Sequence, residues 1–274
     1  MRCSVRRQLL VRRGALGDTV LVEPLARAMR AERPDLRLDM AGVEENVALM
    51  AALGACERAF STEILAARIA GYDRVVADDP RVAAMHANAC CYDAVILGDV
   101  RRPASRELLD RTGYAGFADG VPRLQRPAVV ETSAALLHPG AGAPRKCRAA
   151  AFWSELASRL HDAGIDAAFA VGPVERERGF DLEALGSIAP VVQPSTPVAL
   201  SEAIAARAVF VGHDSGPTHL AAALGTITFA LFVASDPAVW APPRARVSDA
   251  SVDARTLCAA ITSALRRRAT DGCR

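Results

Sequence analysis

Short apolar runs alternate with amphipathic stretches along most of this sequence. The apolar runs predict β-strands at 8–13, 36–42, 92–99, 133–140, 166–172, 208–214 and 226–232. The amphipathic stretches predict helices at 18–32, 150–164, 199–207 and 253–268, a short helix from Gly216, and weaker helical segments at 43–53 and 62–70. Repeated strand–helix units form parallel sheets with right-handed crossovers, so the pattern predicts an α/β fold.

The alternation stops between residues 113 and 133, where glycine and proline are frequent and periodicity is weak. We interpret this segment as the connection between two doubly wound, Rossmann-like domains, 1–125 and 126–274. Ligands bind such sheets beyond the carboxyl ends of the strands. The loops that follow predicted strands are therefore the first places to search for chemistry.

The composition narrows the class of protein. The 274 residues are 51% hydrophobic and 23% charged, which is typical of a soluble globular chain. A net charge of +2 and an aromatic content of 5% argue against nucleic acid as a partner. The seven cysteines are odd in number and have no C-x-x-C spacing, so neither a disulfide framework nor a zinc site is predicted. No signal peptide or membrane span is recognised, which predicts a cytoplasmic protein.

Arginines are concentrated near both ends of the chain, at Arg2, Arg6, Arg7, Arg12, Arg13, Arg266, Arg267 and Arg268. They either keep the ends soluble or make a peripheral contact with the anionic inner face of a membrane. Of the 33 lysine and arginine residues in the chain, only Lys146 is a lysine. A chain that uses arginine so consistently draws attention to the loop that contains this lysine.

The first loop of interest, RRGALGD at 12–18, connects a predicted strand to a helix. Gly14 and Gly17 permit tight backbone turns. Asp18 lies at or near the start of the helix, where a carboxylate acts either as a helix cap or as a functional group.

The second loop, HPGAGAPRKC at 138–147, contains Gly140 and Gly142 and then Arg145 and Lys146. Glycines let backbone N–H groups approach a ligand closely, and the two cations add positive charge, so the loop is a candidate phosphate cradle. The alternative is a proline–glycine turn with exposed basic residues. Neither G-x-x-x-x-G-K-[ST] nor G-x-G-x-x-G is present.

The third loop lies in GHDSGPTHLAAALG at 212–225, where a strand ends and a helix begins. Asp214, Ser215 and Gly216 open the helix, Pro217 suits its first turn, and His219 follows. Free N–H groups and the helix dipole favour an anion at such a position. A simple Asp or Ser cap is the alternative.

Two adjacent carboxylates, Asp78 and Asp79, follow another strand-like run in VVADDP at 75–80. Such a pair at a strand end usually caps the next helix, and the next histidine is His86. We therefore predict no metal site here.

Three stretches, RRGALGDTVLVEPLARAMR, HPGAGAPRKC and GHDSGPTHLAAALGTITFALF, resemble in this order glycosyltransferase family 9, the ADP-heptose:lipopolysaccharide heptosyltransferases. The DSGPTHL run after a strand is the most specific part. The resemblance implies the GT-B architecture, with two Rossmann-like domains facing a cleft. It also implies that 1–125 holds the acceptor and that 126–274 binds a nucleotide sugar. The implied reaction is an inverting sugar transfer that needs no metal or other cofactor.

The resemblance also assigns roles to residues. Asp18 matches the catalytic base and, with Gly17, lies where the acceptor would bind. Lys146 matches a catalytic cation beside the donor phosphates, and Glu175 falls near the donor ribose. The donor-binding residues implied in this way are Gly140, Gly142, Arg145, Lys146, Glu175, Asp214, Ser215, Gly216 and His219. This agrees with the chemistry, because a carboxylate can take the acceptor proton while cations stabilise the leaving diphosphate.

Some positions depart from the family pattern. Val233 and Ala234 replace the usual Gly-Pro pair after the LF strand, where the nucleobase would bind. Arg148 stands where an aromatic residue is usual, and His213 replaces a common asparagine. The expected function is sugar transfer, such as heptose from ADP-heptose, to a glycan or lipid-linked acceptor in lipopolysaccharide biosynthesis. The alternatives are a family member that uses another sugar nucleotide and a binding protein that has lost transfer.

Overall fold

The computed structural model describes residues 6–92 and 102–271 and divides the chain into two compact units. The first unit comprises Met1–Gln125 and Ala238–Pro243, and the second comprises Arg126–Pro237 and Arg244–Arg274. The sequence-based division had assigned the short segment 238–243 to the second domain. Of the predicted strand 92–99, residues 93–99 lie outside the described residues.

In its described residues, the first unit is built around a parallel five-stranded sheet with the order β3-β2-β1-β4-β5. Its strands are β1 (Arg7–Arg12), β2 (Arg37–Gly42), β3 (Arg58–Ser61), β4 (Arg74–Ala77) and β5 (Ala89–Cys91). Its helices are α1 (Leu16–Leu21), α2 (Glu23–Glu32), α3 (Glu44–Ala52), α4 (Leu65–Arg68), α5 (Pro80–Ala83) and α6 (Ala104–Thr112). Short 3₁₀ turns at Thr62–Ile64 and Ile69–Gly71 flank α4.

The predicted helix 18–32 is two helices, α1 and α2, that meet at Val22. Pro24 explains the break, because a proline has no N–H to continue the hydrogen bonds of the preceding helix. It occupies the first turn of α2 instead, where its fixed φ is favourable.

The second unit contains a parallel six-stranded sheet with the order β11-β10-β9-β6-β7-β8. Its strands are β6 (Thr132–His138), β7 (Ala167–Ala170), β8 (Val191–Val192), β9 (Arg207–His213), β10 (Ile227–Phe232) and β11 (Arg246–Asp249). Its helices are α7 (Ala150–Asp162), α8 (Pro173–Glu177), α9 (Leu182–Gly186), α10 (Pro197–Ala205), α11 (Gly216–Ala223) and α13 (Ala254–Asp271). A further helix, α12 (Pro237–Trp240), lies between β10 and β11 in the sequence. Most of α12 belongs to the first unit by its contacts.

Each unit has its own apolar core. In the second unit, α7 and α13 cover one face of the sheet, and Trp153, Leu156, Phe169 and Ile261 are fully buried there. In the first unit, Trp240 packs against Leu21 and Ala104, although it comes from the far end of the sequence. In the described part of the chain, no helix is long and apolar enough to cross a membrane.

In each sheet, the order in which successive strands are added reverses at one place. In the first sheet the strand order reverses between β1 and β4, and in the second it reverses between β6 and β9. Loops diverge at such a switch point and leave a crevice beyond the carboxyl ends of the strands. Asp18 lies in the first turn of α1, directly after β1, and the segments after β6 and β9 carry Lys146 and Asp214.

The core of the second unit yields a stability prediction. Leu156→Ala should lower the free energy of unfolding of this unit by about 2–5 kcal/mol, because it leaves a cavity in a close-packed core. Leu182→Ala is the matched control, since Leu182 is only partly buried at the margin of the same cluster. Urea denaturation should give a clearly smaller loss for the control. Equal losses would contradict this description of the core.

Candidate functional site

The site in the first unit is built on the turn from β1 to α1. Asp18 occupies the first turn of α1, directly after Gly17, and its Oδ2 accepts the N–H of Ala15 at 3.1 Å. Its Oδ1 lies 2.9 Å from Nη2 of Arg12. A Cβ on Gly14 would lie 2.5 Å from the Cβ of Asp18, so only glycine fits there. Asp18 therefore caps its helix, and its side chain remains 35% exposed.

Arginines surround the neighbouring carboxylates at the end of β4. Arg12 also faces Asp78, with 3.6 Å between Nη1 and Oδ2, and Arg13 donates its backbone N–H to Asp78 Oδ2 at 2.7 Å. Asp79 caps α5 by accepting the N–H of Arg81 at 2.6 Å. Hydrogen bonds from Arg81 and Arg13 hold the pKa of Asp79 well below its usual range. The pair at 78–79 thus serves helix capping and arginine pairing.

The site in the second unit centres on the carboxylate of Asp214. Its Oδ2 accepts hydrogen bonds from Lys146 Nζ and Ser235 Oγ, each at 2.5 Å, and its Oδ1 lies 3.7 Å from Nε2 of His219. Burial acts to raise the pKa of Asp214, but His219, Lys146 and Ser235 outweigh it and lower the pKa to about 2. The carboxylate is therefore ionised at neutral pH and fixes the ammonium group of Lys146.

The start of α11 lies next to this cluster. Ser215 is the N-cap residue, yet its side chain makes no capping hydrogen bond and lies 3.3 Å from the hydroxyl of Thr218. Gly216 is the first helical residue, and Pro217 follows it. Pro217 has no N–H and Thr218 donates its N–H to the Ser215 carbonyl at 3.1 Å, so in the described part of the chain the first turn of α11 offers the N–H of Gly216 to an anion.

The glycine loop after β6 differs from the predicted cradle. A Cβ on Gly140 would lie 2.1 Å from Oε1 of Glu175, so this glycine makes room for a buried carboxylate. Glu175 accepts the N–H of Gly172 at 3.0 Å and caps α8. The Gly142 side is open, but its carbonyl accepts a hydrogen bond from Arg178 at 2.7 Å. Only Gly142 therefore offers a free approach to the backbone.

The two cations of this loop differ in their surroundings. Lys146 is three-quarters buried and paired with Asp214. Arg145 is exposed, and within residues 6–92 and 102–271 its side chain has no hydrogen bond or ion pair. In the same ranges, no group of three or more His, Cys, Asp or Glu side chains is placed to hold a metal ion.

His213 joins the loops of this site, a role that the sequence did not reveal. Its ring is fully buried, with Nδ1 lying 3.2 Å from the carbonyl oxygen of Gly140. Its Nε2 accepts the backbone N–H of Arg148 at 2.9 Å, so Nδ1 carries the proton and donates to Gly140. The ring also packs edge-on against Trp153. His213 thus bridges the loop before Lys146 and the chain just after it.

Arg148 itself anchors the end of this loop. Its guanidinium lies 4.1 Å from the ring centre of Phe152 and donates to the carbonyls of Ala250 and Val252 at 2.6 and 3.0 Å. Arg148 is thus a cation that stacks on a neighbouring aromatic ring.

The structure brings most of the predicted donor-site residues together in the second unit. Lys146, Asp214 and His219 make one cluster, Ser215 and Gly216 start the adjoining helix, and Gly140 contacts Glu175. Asp18 and Gly17 belong to the first unit. The sequence analysis did not predict the contacts that Arg12, His213 and Ser235 make in these sites. The position of Ser235, directly beyond the strand beside β9, was the one available signal for it.

Comparison with known proteins gives a consistent result. The family model for glycosyltransferase family 9 (heptosyltransferase) matches residues 104–265. No significant sequence match to a curated protein was found. Among solved structures, E. coli ADP-heptose lps heptosyltransferase II has a TM-score of 0.74 at 18% identity, with 96% of this chain and 99% of that chain covered.

Two further structures share this fold. A glycosyl transferase family 9 protein from Veillonella parvula DSM 2008 has a TM-score of 0.71 at 16% identity, with 91% of this chain and 87% of that chain covered. E. coli heptosyltransferase WaaC with ADP-2-deoxy-2-fluoro heptose has a TM-score of 0.69 at 17% identity, with 94% and 99% covered. The prediction of an α/β fold of the GT-B heptosyltransferase type, with two parallel sheets, is confirmed.

The buried position of His213 leads to a pH prediction. Burial lowers its pKa to about 4, the Gly140 carbonyl acts to raise it, and the charges of His138 and Arg148 lower it further. Between about pH 6.5 and 4 the unfolded chain binds a proton here that the folded chain does not. The stability that His213 contributes is therefore complete above pH 6.5 and is lost as the pH falls toward 4.

Urea denaturation at several pH values checks this expectation. At neutral pH, His213→Phe should cost about 1–3 kcal/mol for each buried partner left unsatisfied, whereas His213→Gln can restore a donor and an acceptor. The gap between wild type and His213→Phe should narrow as the pH falls through the window. His161→Gln, at an exposed histidine on α7, is the control. If the difference in unfolding free energy between wild type and His213→Phe did not change with pH, His213 would not be neutral in the folded chain.

Proposed function

Since the chain belongs to glycosyltransferase family 9 and is a glycosyltransferase, we propose that it transfers a heptose from ADP-heptose, with inversion, to a glycan or lipid-linked acceptor. The observation that carries this proposal is the cluster of Lys146, Asp214, Ser235 and His219 beside the start of α11. It lies beyond the switch point of the second sheet, where doubly wound sheets bind nucleotides. Heptosyltransferase structures with ADP and with an ADP-heptose analogue support the choice of donor.

The proposed chemistry forms one bond and breaks one. The acceptor hydroxyl oxygen attacks the anomeric carbon, and the bond from that carbon to the β-phosphate oxygen breaks with its electron pair on the nucleoside diphosphate. Attack from the face opposite the leaving group inverts the anomeric centre. The hydroxyl proton passes to a carboxylate, and the diphosphate leaves with one more negative charge.

Asp18 is the proposed base. One oxygen of its carboxylate is held by Ala15 N–H and the other by Arg12, which fixes the group without consuming all its lone pairs. Its partial exposure leaves it accessible to an acceptor hydroxyl. In this proposal Gly17 lies against the acceptor, and residues 1–125 form the acceptor-side domain.

Lys146 is the proposed contact for the departing diphosphate. Its ammonium has three N–H donors, of which Asp214 accepts one, and the pair holds the cation in place before the donor arrives. Charge that is fixed in advance stabilises a leaving group without reorganisation during the reaction. Arg145 and the N–H groups of Gly142 and Gly216 are the accompanying donors, with Glu175 near the ribose in this proposal.

The remaining parts of the proposal concern partners and place. No divalent ion takes part, because fixed cations neutralise the diphosphate. The enzyme works in the cytoplasm, with peripheral contact at the inner membrane face through its arginines. Two alternatives stay in view: another sugar nucleotide as donor, which the Val233–Ala234 replacement favours, and a binding protein without activity. The retained carboxylate at Asp18 favours an active enzyme over the last.

A donor panel tests the proposed function directly. ADP-heptose should raise the melting temperature more than ADP-glucose, UDP-glucose or GDP-mannose, since a tighter ligand stabilises the folded state further. Release of nucleoside diphosphate should follow when a lipopolysaccharide-core acceptor is added, with or without EDTA. A larger shift with another nucleotide would replace the proposed donor. Binding without release would favour the inactive alternative, and loss of release in EDTA would contradict metal independence.

Asp18→Asn tests the base. Asparagine can still accept the Ala15 N–H, so the helix keeps its cap, but it cannot take a proton at neutral pH. We expect kcat to fall by at least about 10²-fold with little change in donor affinity. Asp79→Asn is the control, because Asp79 caps α5 at the same edge of the sheet. Near-normal turnover by Asp18→Asn would reduce Asp18 to a cap.

Lys146→Ala and Lys146→Arg together test the diphosphate contact. Loss of a fixed charge at the leaving group should lower kcat by about 10²–10³-fold. Arginine keeps the charge, but its planar fork replaces a compact ammonium that is mostly buried against Asp214, so we expect partial activity. Arg145→Ala, at the exposed neighbour, should have a smaller effect. Circular dichroism checks folding, and full activity of both Lys146 variants would overturn the assignment.

A further inference from the structure

A groove of about 460 Å³ opens beside the first sheet, at a place that the proposed reaction does not use. The charged and aromatic residues that line it are Arg7, Asp39, Arg58, Phe60, Arg68 and Tyr72. Arg7 and Arg58 are the first residues of β1 and β3, and Tyr72 precedes β4. The groove therefore lies toward the amino ends of these strands. Asp18 and Asp78 follow their carboxyl ends.

The carboxylate of Asp39 neutralises one positive charge of the groove, that of Arg7. Its carboxylate is almost fully buried and accepts hydrogen bonds from Nη1 of Arg7 at 3.0 and 2.9 Å. Tyr72 donates its hydroxyl to the same carboxylate at 2.9 Å. Burial and the hydrogen bond to Asp39 raise the pKa of Tyr72, so the phenol stays protonated. Arg7 and Asp39 thus form a neutral, rigid wall.

Arg58 and Arg68 bring uncompensated charge to the same groove. Twelve of the sixteen arginines in the described part of the first unit form ion pairs with carboxylates. The exceptions there are Arg30, Arg37, Arg58 and Arg68, and Arg30 donates to a backbone carbonyl. Two of the exceptions therefore line one groove, which leaves it with two excess positive charges.

Aromatic rings hold one of these cations in position. The guanidinium carbon of Arg68 lies 5.2 Å from the ring centre of Phe60, within the range of a cation–π contact. The Phe60 ring in turn stacks on Tyr72, with 6.5 Å between the ring centres. Arg68 thus lies over a packed aromatic pair and is an exposed residue.

We propose that this groove binds a phosphomonoester group, with Arg58 and Arg68 as its ligands. Guanidinium groups bind phosphate through paired N–H donors, and two of them match the two negative charges of a phosphomonoester. The volume is in the range of small-molecule sites. The phosphate belongs either to a soluble metabolite or to a lipid headgroup. The proposal does not rest on the proposed sugar transfer, because the groove and Asp18 lie toward opposite ends of the strands.

The test compares wild type with Arg58→Gln/Arg68→Gln in two assays. One is calorimetric titration with inorganic phosphate, and the other is flotation with phosphatidylcholine vesicles that contain phosphatidic acid. Arg159→Gln/Arg255→Gln, on helices of the second unit, is the matched control because it removes the same charge. Donor-stimulated transfer should be unchanged in both double variants, which separates this proposal from the proposed function.

The groove variant should bind about tenfold or more weakly than the control in at least one assay, since charged hydrogen bonds are lost. A loss in the titration identifies a soluble phosphate, and a loss confined to vesicles identifies a lipid headgroup. Equal binding by wild type and the groove variant in both assays would overturn the proposal. An equal loss in the control variant would also overturn it, because binding would then follow net charge alone.

Discussion

The candidate donor site depends on one buried carboxylate that must be neutralised. Asp214 is almost fully removed from water, and a buried ion without partners is strongly unfavourable. Lys146, Ser235 and His219 supply those partners from three different segments of the chain. The same requirement that stabilises Asp214 thus brings together the lysine loop after β6, the helix after β9 and the loop after β10. The arrangement of these three segments of the second unit therefore depends on the neutralisation of one charge.

His213 adds a second constraint of the same kind. It is adjacent to Asp214 in the chain, but its ring points into the core and bridges backbone groups on either side of the lysine loop. An imidazole is suited to this because one nitrogen donates while the other accepts. The lysine loop is therefore held in two ways, at the Lys146 side chain by Asp214 and through the backbone of Gly140 and Arg148 by His213. Charge prepared in this way is the main requirement for stabilising a leaving diphosphate.

The sequence predicted long elements and strand-end loops well. Buried runs such as 208–214 and the amphipathic stretch 150–164 have a strong period, and both were found within a few residues of the predicted bounds. Short strands such as β3 and β11 were not predicted, because four residues are too few to show a clear hydrophobic periodicity. The break at Val22 was missed because apolar periodicity continues through Pro24.

The motifs indicated a candidate site, while the contacts between its residues needed the structure. Asp18 and Lys146 could be selected from loop positions and residue types. The filling of the space beside Gly140 by Glu175 depends on packing between distant segments, which no local pattern encodes. The same holds for Ser235 on Asp214 and for His213 between two loops. Helix capping by Asp18 was an open alternative to catalysis, and the geometry shows that capping leaves the carboxylate accessible.

The short segment 238–243 has a consequence for the order in which the chain can fold. Trp240 completes the apolar contact with Leu21 and Ala104, so the first unit is unfinished until this late segment has been synthesised. Residues 126–237 come between, and while they are unfolded they form a long loop whose closure costs entropy. The two units are therefore coupled in folding through chain connectivity, and a fragment that ends at Gln125 would expose the surface that Trp240 covers.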